Sequence, residues 1–304
     1  MHSVHSDGEL TPEQLVTAAG SAGLDFIATT EHNTAAAHHA WDLPTEAGLL
    51  VITGEEVTTR TGHWLALGIP PGEVIDWRYG AEDSVIGQHL GQVHAAGGLG
   101  VVAHPHAPCP TGTFLFPFDG FDVVEVWNGL WTSDLPWNAD NEAGLADWAR
   151  ELAQDMDKGG WRPAMGNSDT HLEGQIGLPH TVVLAEELST DAVLAGIRSG
   201  RSWIAESSDV DLSFFASVDG DRAEIGEQLQ SREKAAIINF HVRGVLGGVV
   251  SFQTDSGEHH GETFAGPEHA TTWGITAGEA RFVRCEVRRS DGSMAALTNP
   301  ILLV

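Results

Sequence analysis

The chain has 304 residues, with 43 Asp or Glu against 15 Lys or Arg and a formal net charge of −28. Such a surface repels nucleic acid and anionic membrane, so we expect neither as a partner. Hydrophobic residues make up 41% of the sequence, which is enough for a substantial core and excludes global disorder. We expect no membrane span, because Gly, Pro or a charged residue interrupts every apolar run.

The start of the chain and its two cysteines favour a cytoplasmic location. Residues 1–7 lack the basic-then-apolar layout of a secretory signal. Cys109 and Cys285 lie far apart and indicate neither a disulfide framework nor a thiolate metal site. We therefore expect a cytoplasmic protein, and the sequence leaves open whether it forms an oligomer.

Helical and strand patterns alternate over residues 1–205. Thr11, Pro12 and Gln14 predict a helix start, with Thr11 as the N-cap and Gln14 completing a capping box. Two further helices are predicted over residues 84–96 and 139–158. Buried strands are predicted at residues 24–29, 49–53, 63–68, 99–103, 121–126 and 162–166. This alternation indicates mostly parallel strands with helices outside, in an open sheet or a barrel.

The pattern changes after about residue 206. Strands are predicted at residues 211–216, 235–242, 248–254 and 281–288, joined by turns such as Asp219-Gly220 and Asp291-Gly292. No long helical pattern interrupts them. We therefore predict two domains, an α/β catalytic domain over residues 1–205 and a small β-sandwich over residues 206–304.

Side chains that can bind metal follow the ends of the predicted strands. They are His2, His5 and Asp7 near the start, and then Glu31, His32, Glu55, Glu56, His104, Asp169 and His171. Because the carboxyl ends of parallel strands converge on one face, we expect these side chains to meet there. His63 is the exception, since it begins a predicted strand instead of ending one.

The collective pattern favours a metal centre over histidines that merely satisfy hydrogen bonds in a core. Several imidazoles and carboxylates are costly to bury together unless a cation compensates them. Imidazole with carboxylate, and without thiolate, suits iron, manganese or zinc. A carboxylate that bridges two such metals can hold a hydroxide ready to react.

Six motifs in register resemble those of the polymerase-and-histidinol-phosphatase (PHP) family. They are His2-Ser3-Val4-His5-Ser6-Asp7-Gly8, Thr30-Glu31-His32-Asn33, Gly54-Glu55-Glu56, Gly62-His63, Ala103-His104-Pro105 and Ser168-Asp169-Thr170-His171. The subgroup that the chain resembles most is the metallohydrolases similar to carbaryl hydrolase, which also carry a C-terminal β-domain. The resemblance implies a distorted (β/α)7 TIM-like barrel with two or three divalent metal ions (Fe, Mn or Zn).

The resemblance also implies the metal ligands, with Glu56 as the bridging carboxylate. One metal would take His2, Glu56 and Asp169, and a second would take Glu56, His63 and His104. A third would take Asp7, His32 and His171.

Two departures from the family pattern concern the ligands. The family opens with His-x-His at the end of a first strand, and His2 matches the second of these histidines. Either the sequence begins inside that strand or the first metal is held differently, and the α-amino group of Met1 is then a candidate donor. The second departure is Glu31, which stands where the family usually has Asp.

A third departure concerns the substrate pocket. Phosphatases hold phosphoryl oxygens with Arg or Lys, but the cations between His104 and His171 are only Arg150, Lys158 and Arg162. The same interval contains the aromatic residues Phe114, Phe116, Phe118, Trp127, Trp131 and Trp137. We expect Trp127, Asn128 and Trp131 to line the pocket, and a bulky, weakly charged, apolar small molecule as the substrate.

The sequence therefore predicts a metal-dependent hydrolase that cleaves an ester, carbamate or amide bond with metal-bound hydroxide. His5 or His106 is the candidate proton shuttle. One alternative is a non-heme diiron monooxygenase that hydroxylates a hydrophobic metabolite. Others are a phosphoesterase and a non-catalytic metal-binding scaffold.

Overall fold

The first part of the chain forms one mixed sheet of six strands. The computed structural model describes residues 1–41, 48–133, 135, 138–156, 159–231 and 234–304. In hydrogen-bonded order, the sheet contains β1 (Phe26–Thr29), β2 (Leu50–Thr59), β3 (Gly62–Leu67), β4 (Leu99–Val102), β5 (Val123–Asn128) and β6 (Ala164–Asn167). All six strands were predicted near these positions. β2 is longer than predicted, because its ladder with β3 carries it through Thr59.

The direction of β3 corrects the expectation of mostly parallel strands. β1–β2, β4–β5 and β5–β6 are parallel, but β3 runs antiparallel to both β2 and β4. Only Arg60 and Thr61 separate β2 from β3, and so short a connection permits only an antiparallel hairpin. The start of β3 therefore lies beside the end of β2, with His63 opposite Thr58. The unusual sequence position of His63 is thereby explained.

Four α-helices lie among the described residues of this region. They are α1 (Pro12–Ser21), α2 (Ile86–Ala95), α3 (Asn141–Met156) and α4 (Thr190–Arg198). The predicted capping box of α1 is confirmed, since the Gln14 N–H donates to Thr11 Oγ1 at 3.3 Å and the Thr11 N–H donates to Gln14 Oε1 at 2.8 Å. α4 was not predicted. No helix in the described part of the chain is long and apolar enough to span a membrane.

Ten strands follow α4 and β8 (Ser202–Ala205) in the part of the chain that the structure describes. They are β9 (Asp211–Val218), β10 (Asp221–Glu224), β11 (Gln228–Leu229), β12 (Ala236–Arg243), β13 (Gly248–Thr254), β14 (Gly257–Phe264), β15 (Glu268–Ile275), β16 (Phe282–Arg289), β17 (Met294–Thr298) and β18 (Ile301–Leu303). β10, β9, β12 and β15 form one sheet, and β16 is central to the other. Phe214 and Phe240 of the first sheet pack on Phe252 of the second, so the two layers share one core.

Backbone pairing crosses the predicted domain boundary at residue 205. β7 (His180–Val183) pairs with β8, and β8 pairs with β17, so these two strands extend a sheet of the C-terminal part. In the described residues, six strands thus form the first sheet, and a closed seven-stranded barrel is not seen. β7 and β8 were not predicted from the sequence. The division into two domains stays a prediction.

Asn299 joins β6 to the C-terminal part of the chain. Its amide accepts from the Ala164 N–H at 2.8 Å and donates to the Ala164 carbonyl at 3.0 Å. It also donates to the carbonyl and hydroxyl of Ser202, and the side chain is almost fully buried. β6 leads directly to Asp169, so this contact fixes the strand that carries a predicted ligand.

We expect Asn299→Ala to lower the free energy of unfolding by about 2–4 kcal/mol, because buried backbone groups of Ala164 lose their partner. Asn239→Ala is the matched control, since that amide makes one solvent-exposed bond to the Ile237 carbonyl. It should cost less than about 1 kcal/mol. Denaturant unfolding measures both values, and equal losses would contradict the role assigned to Asn299.

Candidate metal centre

The carboxylate of Glu56 is the meeting point of three imidazoles. His2 Nε2 lies 3.0 Å from Glu56 Oε2, while His63 Nδ1 and His104 Nε2 lie 2.8 and 3.2 Å from Oε1. All four side chains are buried. They come from the chain start, from β2, from the beginning of β3 and from the end of β4. The sheet therefore brings together residues that are up to 102 positions apart in sequence.

Asp7 forms a second meeting point next to the first. Its carboxylate lies 3.6 Å from His32 Nε2 and 3.4 Å from His171 Nε2. The ring of His2 stacks on the rings of His32 and His171, with centroids 4.3 and 4.1 Å apart. His2 therefore belongs to both groups.

Asp169 completes the centre from the loop after β6. Its Oδ1 lies 3.1 Å from His2 Nε2, and its Oδ2 accepts a hydrogen bond from Asn128 Nδ2 at 3.3 Å. Asp169 and His104 both have positive φ angles, of 46° and 24°. Residues other than glycine rarely adopt positive φ angles, and the backbone strain that these angles cause is concentrated at functional sites.

The described residues contain three groups whose ligand atoms lie close enough to share an ion. These groups are His2, Asp7, His32 and His171; His32, Glu56 and His63; and His2, Glu56 and Asp169. The last matches the ligand set implied for the first metal, and the first group contains the set implied for the third. In the middle group His32 stands in place of His104, although His104 also contacts Glu56. Which residues bind which ion stays a prediction.

The electrostatics of the centre are those of a site that attracts cations. Burial opposes the charge of His2 and His104, but bonds to the carboxylates outweigh it and raise their pKa values to about 9 and about 10. Burial likewise opposes the charge of Glu56, yet the bonds to His104, His2 and His63 hold its pKa well below the usual range. The His171 contact lowers the pKa of Asp7 to about 2. Protons here neutralise carboxylates that a metal could neutralise instead.

The donor set fits divalent metal ions. It consists of imidazole nitrogens and carboxylate oxygens without a thiolate, which suits iron, manganese or zinc. Stacked imidazoles at 4.1–4.3 Å cannot all be protonated without repulsion, and burial accordingly lowers the pKa of His32. His104 Nδ1 is buried and has no hydrogen-bond partner among the described residues. These features favour a metal ion shared by these side chains over protonation of all the imidazoles.

Glu31 organises the loop that carries His2 and Asp7. Its carboxylate accepts the Ser3 N–H at 3.0–3.1 Å and the hydroxyls of both Ser3 and Ser6. Gly8 closes the loop, because a Cβ there would lie 2.3 Å from the His2 carbonyl oxygen. The departure at position 31 thus has a structural role in this chain.

The α-amino group of Met1, a candidate metal donor, donates a hydrogen bond to Thr30 Oγ1 at 2.6 Å. Thr30 N–H in turn donates to the Met1 carbonyl at 3.2 Å, so Met1 pairs along the edge of β1. Whether the amino group takes part in metal binding stays a prediction.

The structure does not bring the two candidate proton shuttles to the centre. His5 is exposed, and among the described contacts its backbone N–H donates to Ser3 Oγ. His106 Nε2 lies 2.8 Å from the Asp147 carboxylate on α3. Neither imidazole contacts a described ligand of the Glu56 or Asp7 groups.

Of the three predicted substrate contacts, the structure brings only Asn128 to the centre. Trp127 and Trp131 pack edge to face in the core, with centroids 5.1 Å apart, and donate to the Gly129 carbonyl and to Glu142. The cause is a register shift between Glu125 and Trp127, where β5 bulges against β6. A bulge changes which side chains face inward. Trp137 and Lys158 lie outside the described residues.

A cavity of about 750 Å³ adjoins the Glu56 group. Its polar end includes Glu56, His104, Glu125 and Asp169, and its wall is mainly apolar. The apolar wall includes Ile52, Leu65, Leu67, Met165, Val193 and Trp203. No Lys or Arg is among the described residues that line it.

A family model matches part of the chain. Residues 147–202 match the family model described as PHP-associated, a segment that includes Asp169 and His171. No curated protein matches the sequence.

Two solved structures share a low level of similarity with the chain. A protein described as a metal-dependent phosphoesterase of Bifidobacterium adolescentis is 21% identical, with a TM-score of 0.40 over 56% of this chain and 85% of the other. An amidohydrolase of Chromobacterium violaceum is 19% identical, with a TM-score of 0.37 over 66% of this chain and 95% of the other. At TM-scores below 0.5 these likenesses carry no argument about function.

We expect metal binding to release about two protons at pH 8, because His2 and His104 are protonated there and must lose their protons to ligate. Their pKa values exceed the usual 6.5, so in the metal-free protein they stabilise the fold fully below pH 6.5. That stabilisation is lost as the pH rises through about 9 and 10.

Calorimetric titration with Zn²⁺ in buffers of different ionisation enthalpy counts the released protons. His104→Ala should lower the count by about one. His94→Ala is the control, since His94 pairs with Asp122 on the surface and should leave the count unchanged. A binding enthalpy independent of the buffer would contradict the assignment.

Proposed function

We propose that this protein is a PHP-family metal-dependent hydrolase whose centre is built around Glu56. The observation that carries the proposal is the convergence of His2, His63 and His104 on that one buried carboxylate. The PHP-associated match supports it, because the matched segment supplies Asp169 and His171. The closed seven-stranded barrel and the carbaryl-hydrolase-like subgroup are finer parts of the same proposal.

The residues of the centre would supply ligands for two metal ions. Glu56 would bridge two ions, with His2 and Asp169 on one side and His63 and His104 on the other. Bound divalent ions would supply Lewis-acid activation of water and of the substrate carbonyl. Glu56 and Asp169 keep low pKa values, so both remain anionic and available as ligands at neutral pH. Asn128, which donates to Asp169, holds that carboxylate in place.

We propose that the scissile group is an ester, carbamate or amide of a weakly charged organic molecule. The described cavity lining supports this, because it has no Lys or Arg to hold phosphoryl oxygens and is mainly apolar. A cavity of about 750 Å³ has the volume of a site for a small organic ligand.

The direct test begins with protein stripped by a chelator and reloaded with Mn²⁺, Zn²⁺ or Fe²⁺. We expect metal-dependent hydrolysis within a panel of aryl and alkyl esters, carbamates and amides, and less with phosphate esters. Glu56→Gln should weaken metal binding by at least about 100-fold, since even outer partners of ligands contribute 10–100-fold. Asp147→Asn, whose carboxylate contacts His106 instead of the centre, should retain activity. Bound metal without turnover of any substrate would overturn the proposed reaction.

A diiron oxygenase is the second candidate, favoured by the apolar cavity next to a His and carboxylate centre. Oxygen consumption coupled to substrate in the Fe²⁺-loaded protein would support it. Turnover without oxygen in the Zn²⁺- or Mn²⁺-loaded protein would exclude it.

We expect Val193→Phe to raise KM for the bulkiest substrates by about 10-fold, because the added ring occupies the cavity. Metal content should not change, since α4 carries none of the ligands. Leu184→Phe is the matched control, because Leu184 is exposed and does not line the cavity. Steady-state kinetics with a series of growing acyl groups measures the effect, and unchanged KM values would place the substrate elsewhere.

A further inference from the structure

Glu125 is a buried carboxylate beside the metal centre that the ligand assignment does not use. It lies on β5, is 2% exposed and lines the polar end of the cavity. Its Oε2 accepts the backbone N–H of His104 at 2.5 Å. Its Oε1 accepts from the amide of Asn167 at 2.6 Å and from that of Asn128 at 3.4 Å. Both oxygens therefore point toward residues that lead to the centre.

The contact with His104 secures a backbone that is otherwise unfavourable. His104 has a φ of 24° and precedes Pro105, and both the positive φ and the following proline restrict what a side chain of this size can adopt. Residues in such conformations cost about 1–3 kcal/mol and persist only where their surroundings hold them. The bond from the His104 N–H to Glu125 is such a constraint, and it sets the direction of the imidazole toward Glu56.

The side-chain amides of Asn128 and Asn167 connect Glu125 to Asp169. Asn128 Nδ2 lies between Glu125 Oε1 and Asp169 Oδ2, at 3.4 and 3.3 Å. Asn167 ends β6 two residues before Asp169, whose φ is 46°. The Glu125 carboxylate therefore contacts the backbone or the neighbours of two predicted ligands, His104 and Asp169, which both have positive φ angles.

The bulge in β5 gives Glu125 this position. The register with β6 shifts between Glu125 and Trp127, so Glu125 and Asn128 face the cavity while Trp127 packs into the core. In a regular strand Glu125 and Trp127 would share a face. The bulge is therefore the local feature that directs a carboxylate and an amide toward the same side.

Burying a charged carboxylate costs free energy that a neutral side chain in the same structural position would not cost. The described partners of Glu125 are neutral amides and a backbone N–H, and the residue is buried. A glutamine would fill the same space without a charge to desolvate. Bound divalent ions beyond His104 and Asp169 would offset that charge.

We propose that Glu125 is a positioning residue of the metal centre, fixing His104 through its backbone and Asp169 through the Asn128 and Asn167 amides. The inference rests on the proposed metal centre and deepens it. Partners that orient ligands commonly contribute 10–100-fold to metal affinity.

The test compares Glu125→Gln with Asp122→Asn. Asp122 also accepts a backbone N–H of β4, that of Gly100 at 2.8 Å, but it contacts His94 and is not among the cavity-lining residues. We expect Glu125→Gln to weaken Zn²⁺ or Mn²⁺ binding by about 10–100-fold in competition with a chromophoric chelator. Asp122→Asn should bind as the wild type does. Thermal unfolding in excess chelator separates lost metal affinity from lost stability.

The outcomes distinguish failure of the metal centre from failure of the role of Glu125. Wild-type protein that binds no metal defeats the proposed centre, whereas wild-type binding with unchanged affinity in Glu125→Gln defeats only the role of Glu125. A lower unfolding midpoint in chelator with unchanged affinity would show a structural role and overturn the inference. If Glu125→Gln does not fold, Asn128→Ala interrupts the path to Asp169 alone. Its affinity should then fall, and an unchanged affinity would also overturn the inference.

Discussion

The structure depends on burying the Glu56 carboxylate together with the imidazoles of His2, His63 and His104. Glu56, His2 and His104 are almost fully buried, and each charge among them is costly unless an opposite charge lies close by. Without metal, protons meet that need, which is why the pKa values of His2 and His104 rise and that of Glu56 falls. Divalent cations would meet the same need without placing protons on the stacked imidazoles of His2, His32 and His171.

These side chains meet because β3 runs antiparallel to both β2 and β4. β3 returns beside β2, so His63 enters from the start of a strand while His104 enters from the end of the neighbouring one. Asn299 then ties β6 to the C-terminal strands, and β6 delivers Asp169. The C-terminal part therefore supports the centre through the backbone of β6. Glu31 performs the corresponding task for the loop that carries His2 and Asp7.

The sequence was most informative where chemistry and strand ends coincide. His2, His32, Glu56, His63, His104, Asp169 and His171 could be singled out because imidazoles and carboxylates recur after apolar runs, and the structure brings them together. The antiparallel β3 was not foreseen, because the predicted strands at residues 49–53 and 63–68 left residues 54–62 between them, whereas in the structure only Arg60 and Thr61 separate β2 from β3. Trp127 could not be placed, because a bulge has no reliable sequence signature and reverses the face of a side chain. Glu125 left one sign, an acidic residue within an apolar run, that hydrophobic patterning alone treats as strand.

The most direct test of a shared-cation centre is a crystal structure of the metal-loaded protein with anomalous diffraction recorded at the metal absorption edges. We expect at least two anomalous peaks, on either side of the Glu56 carboxylate and within ligand distance of His2, His104 and Asp169. A map with these side chains in place and no metal peak among them would contradict it.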